Sequence, residues 1–128
     1  MVAHILIIDD QAVSRGLLHY LLSHRGYAVS DAEDGKQGLQ MALGRRPDLI
    51  LCDLQMPLIN GYEVAQQLLS DPSWKRVPLI AITAASMPGD RELALSAGFD
   101  DHLSKPIDPR TLVAQVETYL PRRLLSGQ

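Results

Sequence analysis

The chain has 128 residues, a formal net charge of -3 and 46% hydrophobic content, which suits one domain burying roughly two-thirds of its unfolded surface. Its pI near 5.7 excludes the general basic field of a non-specific nucleic-acid binder. No apolar run reaches membrane-spanning length and the amino terminus lacks a signal-peptide core, so a cytoplasmic location without membrane insertion is expected, and the single cysteine, Cys52, excludes an intramolecular disulfide.

Ile5-Leu6-Ile7-Ile8 is an unbroken apolar run ending in Asp9-Asp10, the pattern of a strand buried on both faces of a helix-covered parallel sheet. Val13, Leu17, Leu18, Leu21 and Leu22 then recur at helical spacing, with Asp10 placed to cap that helix and Gly26 to end it in a left-handed conformation. Tyr27 to Ala32 alternates as a half-buried edge strand, and Asp34-Gly35 opens a second helix with Leu39, Ala42 and Leu43 inward. Pro47-Asp48 resets the chain for Leu49-Ile50-Leu51-Cys52, a second continuous run that stops at Asp53. Within it Cys52 reads as structural, not nucleophilic.

Beyond Met56-Pro57, Asn60-Gly61 marks a turn, Val64, Ala65, Leu68 and Leu69 supply the inner face of a third helix, and Asp71-Pro72-Ser73-Trp74 ends it. Leu79-Ile80-Ala81-Ile82 ends in Thr83. The helical stretch from Pro88 to Ala97 offers only Leu93, Ala94 and Ala97 as an apolar face and is expected to be the least stable helix. A short strand near Asp101 to Ser104 leads into Lys105-Pro106, and Leu112, Val113, Val116 and Leu120 define a final helix before Pro121. The domain is expected over 1–121, followed by a short polar tail over 122–128. The pairs Arg45-Arg46, Lys75-Arg76 and Arg122-Arg123 read as solvated helix ends and turns, and His4, His19 and His24 as surface or helix-face residues.

Strands alternating with helices five times specify a doubly wound α/β fold: a five-stranded parallel sheet between two helical layers, with five helices. In such sheets ligands bind outside the carboxyl ends of the strands, where strand order reverses. With order 2-1-3-4-5, that point lies between the strand ending in Asp9-Asp10 and the strand ending in Asp53.

Taken singly, Asp9-Asp10 can be a strand end with a helix cap, Thr83 a turn cap, and Lys105-Pro106 an ordinary turn with a cis bond. Together at four strand ends they pose an electrostatic problem. Carboxylates 4 Å apart repel by about 4 kcal/mol per pair at an effective dielectric near 20, more than one or two hydrogen bonds return. A cation must join them, and an all-oxygen donor set suits Mg2+, which favours carboxylates together with a phosphate oxygen. Phosphoryl transfer needs an in-line nucleophile and fixed positive charge on the equatorial oxygens. Asp53 can be that nucleophile, with the metal at Asp9 and Asp10, the Lys105 ammonium and the Thr83 hydroxyl each holding one oxygen.

The set Asp9-Asp10, Asp53 with Met56-Pro57 and Asn60-Gly61, Thr83-Ala84 and Lys105-Pro106 resembles the receiver domain of two-component response regulators, over about His4 to Leu120. The resemblance implies a flavodoxin-like fold and transfer of a phosphoryl group from a sensor histidine kinase or histidine phosphotransfer protein to Asp53. It further implies Mg2+ bound by Asp10, Asp53 and the backbone carbonyl of Gln55, with Asp9 acting through water. Thr83 would switch the surface of the fourth helix, fifth strand and fifth helix, where an unknown downstream protein binds. The kinase would dock on Val13, Ser14, Leu17, Pro106 and Ile107. The receiver would assist its own phosphorylation and dephosphorylation without being an enzyme on a separate substrate, and it would not bind nucleic acid directly.

One position departs from the family pattern: His102 stands where a tyrosine or phenylalanine is usual, three residues before the lysine. An imidazole titrating near pH 6.5 could couple the switch surface to pH, against the plainer reading of a solvent-facing strand histidine. Other function classes fit less well. A dehalogenase-type phosphohydrolase needs an acid where Gln55 stands, and a flavodoxin needs a hydroxyl- and glycine-rich loop where Asp10-Gln11-Ala12-Val13 stands. A phosphorylation-independent pseudoreceiver, or a receiver excised from a larger regulator or hybrid kinase, would share fold and surface.

Overall fold

The computed structural model describes residues 2–84 and 89–125. In chain order the elements are β1 (His4–Ile8), α1 (Ala12–Arg25), β2 (Ala28–Ala32), α2 (Gly35–Gly44), β3 (Leu49–Asp53), α3 (Gly61–Leu69), β4 (Leu79–Thr83), α4 (Asp90–Ser96), β5 (Asp101–Ser104) and α5 (Leu112–Glu117). Single-turn 3-10 helices occupy Pro72–Arg76 and Arg122–Leu124. All strand pairs are parallel and the sheet order is β2-β1-β3-β4-β5, the expected 2-1-3-4-5, so the reversal falls between β1 and β3.

Every residue of β1, β3 and β4 is buried, because helices cover both faces of the sheet. The period of two in a strand then sorts side chains between two cores. Leu6, Ile8, Ile50, Cys52, Leu79 and Ala81 face Leu39 and Ala42 of α2, Val64 and Leu68 of α3, and Trp74. Ile5, Ile7, Leu49, Leu51, Ile80 and Ile82 face Leu18 and Leu22 of α1, Leu112 and Val116 of α5, and Leu124. Local signals set the helix ends. Gly26 takes φ 110° and its N–H returns to the Leu22 and Ser23 carbonyls, closing α1. Asp34 caps α2 by accepting the Gln37 N–H, and Asn60 and Glu63 form a reciprocal capping box on α3.

Several sequence expectations need correction. Gln11, not Asp10, is the N-cap of α1, and it makes no side-chain capping bond. Leu43, expected inward, is 69% exposed in the last turn of α2, and Val13, part of the apolar spacing of α1 and also expected in the docking surface, is 87% exposed. Leu93 is likewise 60% exposed, so that Ala94 is the buried residue of α4; Pro88, the expected start of that helix, lies outside the described residues. His4 is buried on β1, its Nε2 2.7 Å from the Ser30 hydroxyl. Arg46, read as a solvated helix end, stacks 4.2 Å above the Trp74 ring and donates to Ser73. Leu124, inside the expected polar tail, is buried, and residues 126–128 lie outside the described ones. Among the described residues, no helix is long and apolar enough to cross a membrane.

Candidate functional site

The sheet ladder continues one residue past the strands at their carboxyl ends, and this places the polar side chains. The Asp9 N–H donates to the Ala32 carbonyl (3.1 Å), Leu54 to Ile82 (2.9 Å) and Lys105 to Thr83 (2.8 Å). Asp9, Asp53, Thr83 and Lys105 are thereby delivered to neighbouring strand ends.

Asp9 is fully buried. Its Oδ1 accepts the Gln11 N–H (2.9 Å) and its Oδ2 the Ser14 hydroxyl (2.6 Å), while the Arg15 guanidinium donates to its backbone carbonyl (2.9 Å). Asp53, 2% exposed, accepts the Gln55 N–H on Oδ1 (3.0 Å). The Lys105 ammonium bridges the two acids, 3.2 Å from Asp9 Oδ1 and 3.0 Å from Asp53 Oδ2, and donates also to Gln11 Oε1 at 2.7 Å. Asp10 stands exposed at the mouth, and among the described residues its carboxylate makes no hydrogen bond or ion pair. One oxygen from each of Asp9, Asp10 and Asp53 lies within 4.8 Å of the others.

One ammonium thus faces three carboxylates. Burial pushes the Asp53 carboxyl up to about 6, and the charge of Asp9 adds to the rise, against the opposing pull of the Gln55 N–H and of Lys105. The same burial, with Asp53 and Asp9 beside it, pushes the Cys52 thiol up and leaves it inert. A further cation would relieve the acids, and the donors are all hard oxygens with one carboxylate open to solvent, which fits Mg2+.

The backbone beneath Asp53 is tightly fitted. A Cβ on Gly61 would stand 2.4 Å from the Asp53 carbonyl oxygen and 2.8 Å from Leu54 Cα. Asn60-Gly61, legible as a turn, is therefore a helix cap followed by a close backbone approach. Leu58 in the same loop has φ 68° and is 96% exposed, a conformation that L residues other than Asn and Asp seldom adopt. The Lys105-Pro106 bond is cis.

Thr83, 3% exposed, ends β4 beside Asp53. His102 is not brought to the acids. It pairs with Ala81 from β5, and it lines a separate cavity of about 370 Å3 with Leu112 and Gln115. Its Nδ1 is buried and has no hydrogen-bond partner among the described residues. Val13, Ser14, Leu17, Pro106 and Ile107 do converge, on a groove of about 400 Å3 that reaches Lys105. Ser14 has a second role that the sequence reading missed, as do Gln11 and Arg15: all three hold Asp9. The available signal was position, since residues in the first turn of a helix that follows a strand directly can reach back to that strand's end.

Fold and site together define a flavodoxin-like domain with an acid–lysine centre at its topological switch point. The response regulator receiver domain matches residues 5–117, and the chain belongs to that family. It is 41% identical over 118 residues to the response regulator PleD of Caulobacter vibrioides, covering 92% of this chain but 26% of PleD. To the polar-differentiation response regulator DivK of Brucella anthropi it is 34% identical, over 91% of this chain and 94% of DivK. Among solved structures, the chemotaxis protein CheY4 of Vibrio cholerae superposes with a TM-score of 0.87 at 28% identity, over 94% of this chain and all of that one. The receiver domain of the sensor histidine kinase PA1611 of Pseudomonas aeruginosa, solved with a magnesium ion coordinated in its active-site cleft, gives 0.83 at 33% identity, over 93% and 98% of the two chains.

Proposed function

We propose that this receiver is switched by phosphorylation of Asp53, taking the phosphoryl group from a phosphohistidine of a sensor histidine kinase or histidine phosphotransfer protein. The observation that carries the proposal is the Lys105 ammonium bridging Asp9 and Asp53 beneath an exposed Asp10. An Asp53 carboxylate oxygen attacks phosphorus, the P–N bond breaks, and the imidazole leaves as an acyl phosphate forms. Raised to about 6, the Asp53 carboxyl is still mostly ionised at neutral pH and is the more basic for its burial. Lys105 moves its contact from Asp53 to a phosphoryl oxygen, and the Thr83 hydroxyl donates to another. Asp10, Asp53 and the Gln55 backbone carbonyl would hold Mg2+, with Asp9 contributing through water; the ion supplies charge neutralisation on the transferring group. The magnesium in the PA1611 receiver supports this assignment.

The reaction is self-modification, with slow hydrolysis, and not turnover of a separate substrate. The donor docks on the groove formed by Val13, Ser14, Leu17, Pro106 and Ile107. Thr83 and His102 transmit the change to the face of α4, β5 and α5, where a downstream protein is engaged in the cytoplasm without direct nucleic-acid contact. Intact-mass measurement after acetyl phosphate treatment tests the proposal. The native chain gains one phosphoryl group with Mg2+, and neither the Asp53→Asn variant nor the magnesium-free sample does. Phosphorylation of Asp53→Asn would overturn the assignment, and no gain by the native chain would leave a docking module independent of phosphorylation.

A further inference from the structure

At the amino-terminal end of the sheet, opposite the acids, lies a cleft of about 560 Å3, within the range of small-molecule sites. Arg46, Arg76 and Arg123 line it against one carboxylate, Asp48, which is already engaged by the His4 N–H at 2.7 Å. In a chain of net charge -3, this is a local reversal of sign.

One guanidinium is anchored and two are open to solvent, on backbone that is held in place. The Arg46 guanidinium sits over the Trp74 ring and donates to Ser73 Oγ at 2.8 Å. Arg76 and Arg123 sit on the two single-turn helices, each pinned by a buried side chain, Trp74 at 4% and Leu124 at 6% exposure. Among the described residues, neither the Arg76 nor the Arg123 guanidinium makes a hydrogen bond or ion pair. Pro47, Pro78 and Pro121 form much of the remaining wall; they are rigid and carry no N–H. The cleft therefore offers one anchored and two unpaired guanidiniums beside apolar surface, and guanidinium pairs with carboxylate or phosphate in bidentate geometry.

We infer that this cleft binds a doubly charged oxyanion carried on a compact apolar body. The site is separate from the phosphoacceptor centre and does not rest on the proposed phosphorylation.

The test is an amide chemical-shift titration of the full chain, free of magnesium, with phenyl phosphate, phenol, inorganic phosphate and phthalate. Phenyl phosphate is expected to shift Asp48, Val77, Leu79 and Leu120. Loss of the apolar body (inorganic phosphate) should weaken binding roughly tenfold through lost burial of the ring, and loss of the charge (phenol) roughly tenfold through lost hydrogen bonds to a charged group. The double variant Arg76→Gln with Arg123→Gln should weaken phenyl phosphate by at least about tenfold on the same grounds. Phthalate, a dicarboxylate dianion on the same ring, should shift the same amides, and its failure to do so would count against recognition of a doubly charged oxyanion as such. Shifts confined to the Asp53 end, or an affinity unchanged in the double variant, would overturn the inference.

Discussion

The two ends of the sheet carry opposite charge under opposite conditions. At the carboxyl end, Asp9 and Asp53 are buried and share one ammonium, while at the amino end the charged tips of Arg76 and Arg123 stand in solvent. Buried like charges raise the free energy of the folded state unless a counter-ion joins them, whereas solvated charges cost almost nothing. The carboxyl end is thus frustrated in a way that a metal or phosphoryl group can relieve. The amino end can lose the charge of Arg76 or Arg123 without consequence for the fold.

Gly61→Ala puts the sharpest strain on this contrast. The new Cβ would meet backbone atoms at 2.4 and 2.8 Å, and backbone cannot rotate aside as a side chain can. A loss of about 3 kcal/mol is expected, read by urea denaturation, together with loss of phosphorylation because the Asp53 carbonyl must move. Arg76→Gln at the other end should change stability by less than about 0.5 kcal/mol. Equal effects at the two ends would dissolve the distinction.

Asp53→Asn comes next and has the opposite sign. The Asp53 carboxyl titrates near 6 when folded and near 3.8 when unfolded, so its stabilising contribution is complete below the unfolded value and is lost as pH rises through 6. At pH 7 the folded state bears the cost of ionisation. Removing the charge is expected to stabilise the metal-free chain by about 2 kcal/mol, and magnesium should narrow the difference by stabilising the native protein alone. A destabilised Asp53→Asn chain at pH 7 would mean that the Lys105 bridge outweighs burial.

The amino-acid sequence made the carboxyl end far more legible than its surroundings. Ile5 to Ile8 and Leu49 to Cys52 announce themselves because a strand covered on both faces tolerates no polar residue until it leaves the sheet. Their terminal aspartates followed from that rule, while the strand order and the groove near Lys105 followed from the family resemblance. Helix faces were less legible: Leu43 and Leu93 fit a 3.6-residue period yet point to solvent, since periodicity identifies a stripe but not where the underlying sheet ends. His4 was misread because a polar residue can open a buried strand when a partner such as Ser30 is supplied by a strand distant in sequence. The supports of Asp9 were missed for the same reason. Ser14 and Arg15 look like ordinary helix residues until the helix is set against the strand end.

Leu58 gives a smaller effect. Its left-handed φ of 68° buys nothing in burial, the side chain being 96% exposed. Glycine relieves about 1–2 kcal/mol of backbone strain and returns part of it through the entropy of the unfolded chain. Leu58→Gly should therefore stabilise by about 0.5–1 kcal/mol, measured by thermal denaturation. Destabilisation would mean that the exposed leucine makes a contact the loop depends on.

The smallest effect lies in His4, the amino-end counterpart of Asp53. Burial lowers its pKa and the nearby Arg45 charge adds to this, with Asp48 opposing. One ring nitrogen meets Ser30, and Nδ1 is buried without a partner among the described residues, so a second ring proton would have no acceptor there. The linkage runs opposite to that of Asp53: the contribution of His4 is fully present above the unfolded value of 6.5 and is lost as pH falls through the lowered folded value. In the native chain the larger, opposing Asp53 slope masks that of His4, which makes Asp53→Asn the background in which to look. That variant should lose stability between pH 7 and pH 5, and adding His4→Gln should flatten the loss. If the slope survives, the acid-sensitive group is not His4, and the amino end holds no buried titrating residue of consequence.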